Sequence, residues 1–443
     1  MFAKLWPDGC VSTEQWIAAD KAHCWHPFTR QDEWVAGAPA EPLVLVDGEG
    51  VWLTDSEGRR YIDGNASIWT NVHGHKHPVI NAALIVQLGK VAHTSFLGFA
   101  NPRASELAQR LCGLFPPQTL ERVFFSDDGS TAVECAVKMA IQYRIQTGEK
   151  PRTEFIAFDQ AYHGDTMGAA SLGGVGAFFD RFRKFGFPVS HVSGVDDLLS
   201  LSKEQIANTA AIIIEPLVQG VNQIHPWPVG MLKELREWCD TQGVHLILDE
   251  VMTGFGRTGS MFACQQEDVI PDFLCLAKGL TGGYLPLAAT MVRGSIYDAF
   301  LGAADKAFYY GHSYTANQLG CAAALASLDV FEQEDTLGKL PDKINLLADR
   351  LQKLSAQSDY VHEVRQCGMV AGVEIRQLNG EPCPPGNRVG EQISLLARSH
   401  QLLTRPIRDT LVIMPPLSIT EDEIHQMCDS LASAINEFFQ DEA

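Results

Sequence analysis

Between about Arg122 and Ala289 the chain alternates short, continuously apolar runs with stretches of helical spacing, and few folds accommodate that alternation. The runs are Val123–Phe125, Phe155–Phe158, Ile212–Ile214, Leu246–Leu248 and Phe273–Leu276. A strand with one wet face alternates apolar and polar residues, whereas a strand covered on both faces does not. These runs therefore predict central strands of a mostly parallel sheet with helices on both sides, an α/β fold. After Gly129, the residues Val133, Ala136, Val137, Ala140 and Ile141 recur at three- and four-residue spacing, which marks one apolar helical face. A strand, a Gly-containing turn and a helix thus follow one another.

The tail from about Lys339 reads differently, with a helix over Leu346–Leu354, strands near Val370–Ile375 and Leu411–Met414, and a break at Pro415-Pro416. A division into an N-terminal segment (1–75), a large domain (76–338) and a smaller C-terminal domain (339–443) is expected. The 443 residues carry 34 Lys+Arg against 54 Asp+Glu, a formal charge of −20. That balance argues against a nucleic-acid or anionic-membrane partner, since both need clustered cations. Small molecules remain as partners. The 11 Cys include no C-x-x-C pair, so neither a disulfide framework nor a zinc ribbon is indicated, and a cytoplasmic location is expected. Met1–Trp16 carries Lys4, Asp8 and Glu14 without a continuous apolar run, so a secretory signal is not expected. No stretch approaches the roughly 20 apolar residues of a membrane helix.

In open α/β sheets ligands collect at the carboxyl ends of the strands. Four runs deliver chemistry there: Leu246–Leu248 ends in Asp249-Glu250, Phe273–Leu276 leads to Lys278, Phe155–Phe158 leads to Tyr162-His163-Gly164-Asp165, and Val123–Phe125 leads to Ser126-Asp127-Asp128-Gly129-Ser130. An Asp after a strand is more often a turn or cap residue, and a Lys among apolar neighbours usually snorkels to water. Their joint occurrence at one sheet edge changes the reading. A lysine amine, a carboxylate and an anion-binding helix start suit pyridoxal 5'-phosphate (PLP). Lys278 would form the Schiff base and move a proton, and Asp249 would keep the ring nitrogen protonated. Gly129 and Ser130 would hold the phosphate at a helix N-terminus, with Tyr162 and Val251 on the two ring faces.

Two other motifs are set aside. His73-Gly74-His75-Lys76-His77 resembles a metal cluster, yet alternation along an extended segment need not converge three imidazoles, and no metal is assigned. Leu172-Gly173-Gly174-Val175-Gly176 does not give the G-x-G-x-x-G of a dinucleotide site.

Over nearly its whole length the sequence resembles the class III aminotransferases of PLP fold type I. The resemblance is carried by Ile213-Ile214-Glu215-Pro216, Leu248-Asp249-Glu250-Val251, Thr253-Gly254-Phe255-Gly256-Arg257-Thr258-Gly259 and Ala277-Lys278-Gly279. It implies a seven-stranded sheet in the large domain, a smaller α+β domain and a homodimer. It also implies Glu215 beside the cofactor ring, and His312 and Ser313 at the phosphate of the neighbouring subunit.

Cys24-Trp25-His26-Pro27-Phe28-Thr29, Ala161-Tyr162-His163-Gly164-Asp165-Thr166, Leu403-Thr404-Arg405-Pro406 and Met414-Pro415-Pro416 are similar to one branch of that family, which aminates 8-amino-7-oxononanoate in biotin synthesis. The likeness implies substrate contacts from Phe28, Ile68, Trp69, Tyr162, Asp165, Arg257, Gly311 and Arg405, with Arg405 on the acceptor carboxylate. S-adenosylmethionine is the donor of the branch's best-known form. Phe28, Ile68 and Val412 stand where that form has two tyrosines and a tryptophan, which is closer to enzymes using L-lysine. Asp128, acidic where a small residue is usual, is expected to point away from the phosphate turn.

Overall fold

The computed structural model describes residues 12–148 and 150–441. Cys10 and most of the Met1–Trp16 stretch lie outside them. A seven-stranded sheet forms the centre, its strands in chain order β1 (Leu120–Ser126), β2 (Glu154–Phe158), β3 (Val189–Val192), β4 (Thr209–Ile214), β5 (His245–Asp249), β6 (Phe273–Leu276) and β7 (Ala288–Arg293). Their spatial order is β1-β7-β6-β5-β4-β2-β3. Strand β7 is antiparallel to both its neighbours, β6 and β1, and the remaining pairs are parallel.

All five apolar runs are strands of this sheet, and their side chains alternate between two cores. Ile212, Ile214, Leu246, Leu248, Leu274 and Leu276 face one. Ala211, Ile213, Ile247, Phe273 and Cys275 face the other. Helix α1 (Gly129–Gln146) covers that second face with Val133, Ala136, Val137 and Ala140, while Ile141 is half-buried beside them. Strands β3 and β7 were not anticipated. β3 reads Val-Ser-His-Val and sits at the sheet edge, so three of its four residues are partly exposed, whereas β7 is buried but begins with two alanines.

A second sheet joins the two ends of the chain: Leu45–Glu49, Trp52–Asp55 and Arg60–Asp63 pair in sequence, and Leu402–Leu403 adds in parallel to the last. A third contains Val361–Cys367, Val370–Ile375, Thr410–Ile413 and Pro406–Ile407. The helix read over Leu346–Leu354 extends from Thr336 to Gln357 and packs against the last helix, Glu421–Asp441. Two backbone bonds tie this part to the N-terminal segment: Met414 N–H donates to Gly64 O and Leu417 N–H to Val72 O, both at 2.8 Å.

Candidate active site

The carboxyl ends of the central strands open into a cavity of about 410 Å³. It is lined by Trp69, Gly129, Ser130, Tyr162, Glu215, Asp249, Val251 and Lys278 among others, so eight residues singled out from distant parts of the sequence meet at one place.

Asp249 is the last residue of β5 and is buried. Its Oδ2 stands 2.8 Å from Nδ1 of His163, and its Oδ1 receives the Val251 N–H at 3.1 Å. The carboxylate is therefore fixed from two sides. His163 is itself buried, and its Nε2 has no hydrogen-bond partner among the described residues. Its role as the partner of Asp249 was not read from the sequence, although it sits in the strand-end motif beside Tyr162. Other wall residues that escaped the sequence reading come from Thr281 and Gly283–Leu287, the turn after Lys278.

Lys278 follows β6 with its backbone in the left-handed region at φ 45°. Burial lowers its pKa, Asp249 and Glu215 oppose that effect, and Arg257 adds to it. Its Nζ lies 4.9 Å from the ring centroid of Trp69. Glu215 follows β4 and accepts N–H bonds from Gly220 at 2.8 Å and Tyr162 at 3.1 Å; burial raises its carboxyl to about 7 despite nearby His163. Tyr162 donates its hydroxyl to Asp165 Oδ2 at 2.5 Å, and burial followed by that bond raises the phenol's pKa.

The turn into α1 is packed to a fixed shape. A Cβ on Gly129 would lie 2.7 Å from Cγ1 of Val251, and one on Gly164 would lie 2.1 Å from Ser130 Oγ. Ser130 Oγ accepts the Asp165 N–H at 3.1 Å. Asp128 does not point away from this turn. It is the N-cap, accepting Thr131 N–H at 2.9 Å while its own N–H donates to Thr131 Oγ1 at 3.1 Å, and it borders the cavity. An N-cap carboxylate satisfies an otherwise orphaned helix amide, which explains why an acidic residue is accommodated there.

Other residues singled out lie outside the cavity wall. Arg257 is fully buried, its two terminal nitrogens donating to the backbone oxygens of Pro415 and Asn71 at 2.5 Å each; burial lowers its pKa to about 10. Arg405 is exposed, and no hydrogen bond or ion pair engages its guanidinium among the described residues. Gly311 and Ser313 are exposed, and His312 Nδ1 stands 3.1 Å from Asp127 Oδ2. Phe28 is exposed with its ring 5.6 Å from Phe178, which in turn stands 6.3 Å from Tyr162. Ile68 is half-exposed. Val412 is fully buried in an apolar cluster with Trp69 and Met252, one layer behind the wall. The imidazoles of His73, His75 and His77 diverge to Ser327, Asp63 and Glu334.

A lysine, a carboxylate and a helix start brought to one edge of this seven-stranded sheet are the arrangement of a fold type I aminotransferase. Residues 36–435 match the family model described as aminotransferase class-III, and the chain belongs to that family. It is 46% identical, over 94% of its length and 96% of the relative's, to adenosylmethionine-8-amino-7-oxononanoate aminotransferase of Geobacter sulfurreducens. The protein of the same name from Aquifex aeolicus is 42% identical over 98% of this chain and 99% of its own. The crystal structure of that aminotransferase from Methanocaldococcus jannaschii superposes with a TM-score of 0.92 at 38% identity, covering 96% of this chain and 99% of that one. An (S)-enantioselective omega-transaminase from Thermomicrobium roseum gives 0.90 at 33% identity, covering 97% and 99%.

Proposed function

We propose that this protein transfers an amino group to 8-amino-7-oxononanoate, giving 7,8-diaminononanoate for biotin synthesis, with PLP as cofactor and S-adenosylmethionine as donor. The observation that carries the reading is the convergence of Lys278, Asp249, Glu215, Tyr162 and the Gly129-Ser130 turn on one cavity, in a chain 46% identical to a relative named for that reaction.

The residues present fit the cofactor. Gly129 leaves a cradle that a Cβ would fill, and the start of an 18-residue helix turns backbone N–H groups and its positive dipole end toward an anion. Ser130 adds a hydroxyl. Lys278 would tether the cofactor, Tyr162 and Val251 would flank its ring, and Asp249 would face the ring nitrogen. When bound, PLP supplies an electron-poor ring that takes up the electron pair left as a carbon–hydrogen bond is broken. Burial favours the neutral form of Lys278, the form whose Nζ accepts a proton and returns it to a neighbouring carbon. His163 holds the Asp249 carboxylate in place, and the buried walls exclude water from the exchange.

Arg405, whose guanidinium has no partner among the described residues, is assigned to the acceptor carboxylate, which a guanidinium grips through two parallel N–H bonds. Asp165, Arg257, Gly311 and Trp69 are assigned to the surrounding substrate shell. A homodimer accompanies this reading, with His312 and Ser313 completing the partner's phosphate site. It is supported by the helix Pro78–Leu88 and the segment after it, which expose Ile85, Val86, Leu88, Leu97 and Phe99. Monomeric surfaces rarely expose so many large apolar side chains within one short stretch of chain. Residues 1–75 and 339–443 are assigned to one smaller unit, on the pairing of Arg60–Asp63 with Leu402–Leu403. A cytoplasmic location is kept from the cysteine usage; among the described residues no helix is long and apolar enough to cross a membrane.

L-lysine is the alternative donor, favoured by the hydroxyls and indole absent at Phe28, Ile68 and Val412. The test is a donor panel with 8-amino-7-oxononanoate, following diamine product. Diamine from S-adenosylmethionine supports the full reading, diamine from lysine alone transfers the donor assignment, and none from any donor rejects the acceptor.

A further inference from the structure

Ala66, Ser67, Ile68 and Trp69 all have positive φ, at 43°, 48°, 61° and 69°, and none is glycine. Four consecutive L-residues in the left-handed region place each Cβ against the following carbonyl, so the turn does not persist by its own preference. Something must hold it. The buried Asp63 carboxylate supplies the clasp: Oδ1 accepts the Ser67 N–H at 3.0 Å, and Oδ2 accepts the Ser67 Oγ–H at 2.8 Å. The same Oδ2 stands 3.0 Å from His75 Nε2, and His75 Nδ1 stands 3.1 Å from Asn71 Nδ2. His75 belongs to the histidine-rich run that metal chemistry did not absorb.

The turn has one product. It buries Trp69, whose indole N–H and backbone N–H both donate to Asn65, to Oδ1 and O respectively, at 2.9 Å. Behind the indole, a Cβ on Gly220 would lie 3.0 Å from Cζ3, so the ring has no room to retreat. In front of it stands Lys278 Nζ. Were the four residues to relax to right-handed or extended backbone, the indole would leave the cavity wall.

We propose that Asp63, braced by His75, is a positioning residue for transamination, holding the left-handed turn Ala66–Trp69 so that Trp69 forms the substrate wall opposite Lys278. The proposal rests on the amino-transfer reading for its kinetic consequence alone. Asp63→Ala should raise KM for the ketone at least tenfold while kcat falls less than threefold. In the cofactor-free protein it should also remove amide-exchange protection from Trp69 and Thr70, whose N–H groups bond within the turn to Asn65 O and Ala66 O.

Glycine at positions 66 and 67 tolerates positive φ, so the triple variant Asp63→Ala/Ala66→Gly/Ser67→Gly should recover most of the protection and bring KM back to within threefold of the parent. A merely structural role predicts the reverse, because added glycines make a weakened fold less stable. If Asp63→Ala does not fold, Asp63→Asn, which keeps one acceptor for Ser67, should give a smaller rise in KM that the same glycine pair reverses. Protection and KM unchanged in Asp63→Ala, or glycines that worsen both, would overturn the proposal. Amide exchange needs no substrate, so a wrong ketone would remove the KM arm and leave the exchange arm to decide.

Discussion

Gly129→Ala tests whether the phosphate turn is set by packing against Val251. Gly129 lies outside the left-handed region, so backbone strain is not the reason for glycine there; space is. The new Cβ would sit 2.7 Å from Val251 Cγ1 and 3.0 Å from Cγ2. Overpacking of this kind costs about 1–3 kcal/mol. Replacing glycine inside a helix returns up to about 1 kcal/mol, and less at a first helical position. The net expectation in the cofactor-free protein is a loss of roughly 1–2 kcal/mol by urea unfolding. The clash is also relieved if the helix start shifts by a few tenths of an ångström, which moves the N–H groups meant for the phosphate. A loss of about 1.4 kcal/mol in PLP affinity, tenfold in Kd by equilibrium titration, follows. Val251→Ala removes both offending methyls, so Gly129→Ala/Val251→Ala should be better than the sum of the single variants by about 1–2 kcal/mol. If the two substitutions add to within about 0.5 kcal/mol in both assays, the two sites are independent and the packing argument fails.

Lys278→Ala should fold yet lose all measurable turnover, and borohydride treatment of the loaded parent should fix the cofactor to Lys278; a modified peptide containing another lysine would refute the assignment. Arg405→Ala should slow use of 8-amino-7-oxononanoate at least tenfold while sparing the donor half-reaction, since the acceptor carboxylate loses a charge-assisted partner worth roughly 1.5–3 kcal/mol; impairment confined to the donor would reverse its role. Glu250 is fully buried, and that burial raises its carboxyl from 4.5 to about 7 against two backbone N–H bonds from Ala263 and Cys264. The folded state therefore binds the proton more tightly than the unfolded chain, so the contribution is complete below pH 4.5 and is lost as pH rises through 7. Glu250→Gln should flatten stability across that window by on the order of 3 kcal/mol, and an unchanged pH slope in urea unfolding would reject it. Should the donor be lysine, Phe28→Tyr/Ile68→Trp/Val412→Tyr should shift the donor ratio toward S-adenosylmethionine in single-turnover spectra. An unchanged ratio would leave these positions as packing differences, as the buried setting of Val412 already suggests for that one.

The sequence by itself determined whatever depends on near neighbours along the chain. Runs such as Leu246–Leu248 have no polar alternation because both faces of a central strand are covered, so strand and sheet type were legible together. Asp249 and Lys278 were legible for the same reason, since a strand's end fixes what emerges at the sheet edge. Edge strand β3, with three of its four residues partly exposed, lacked that signal. Tertiary structure alone decided contacts between residues far apart in sequence. His163 meets Asp249 across 86 positions because β2 and β5 flank β4, an order no local pattern states. Arg257 turns to the carbonyls of Asn71 and Pro415 because the segments that bear them close over it. The left-handed turn at Ala66–Trp69 runs against the intrinsic preference of every residue in it. The Asp63 carboxylate and Asn65 hold it from close by in the chain, and the closed space beside Gly220, far away in sequence, is supplied by the fold.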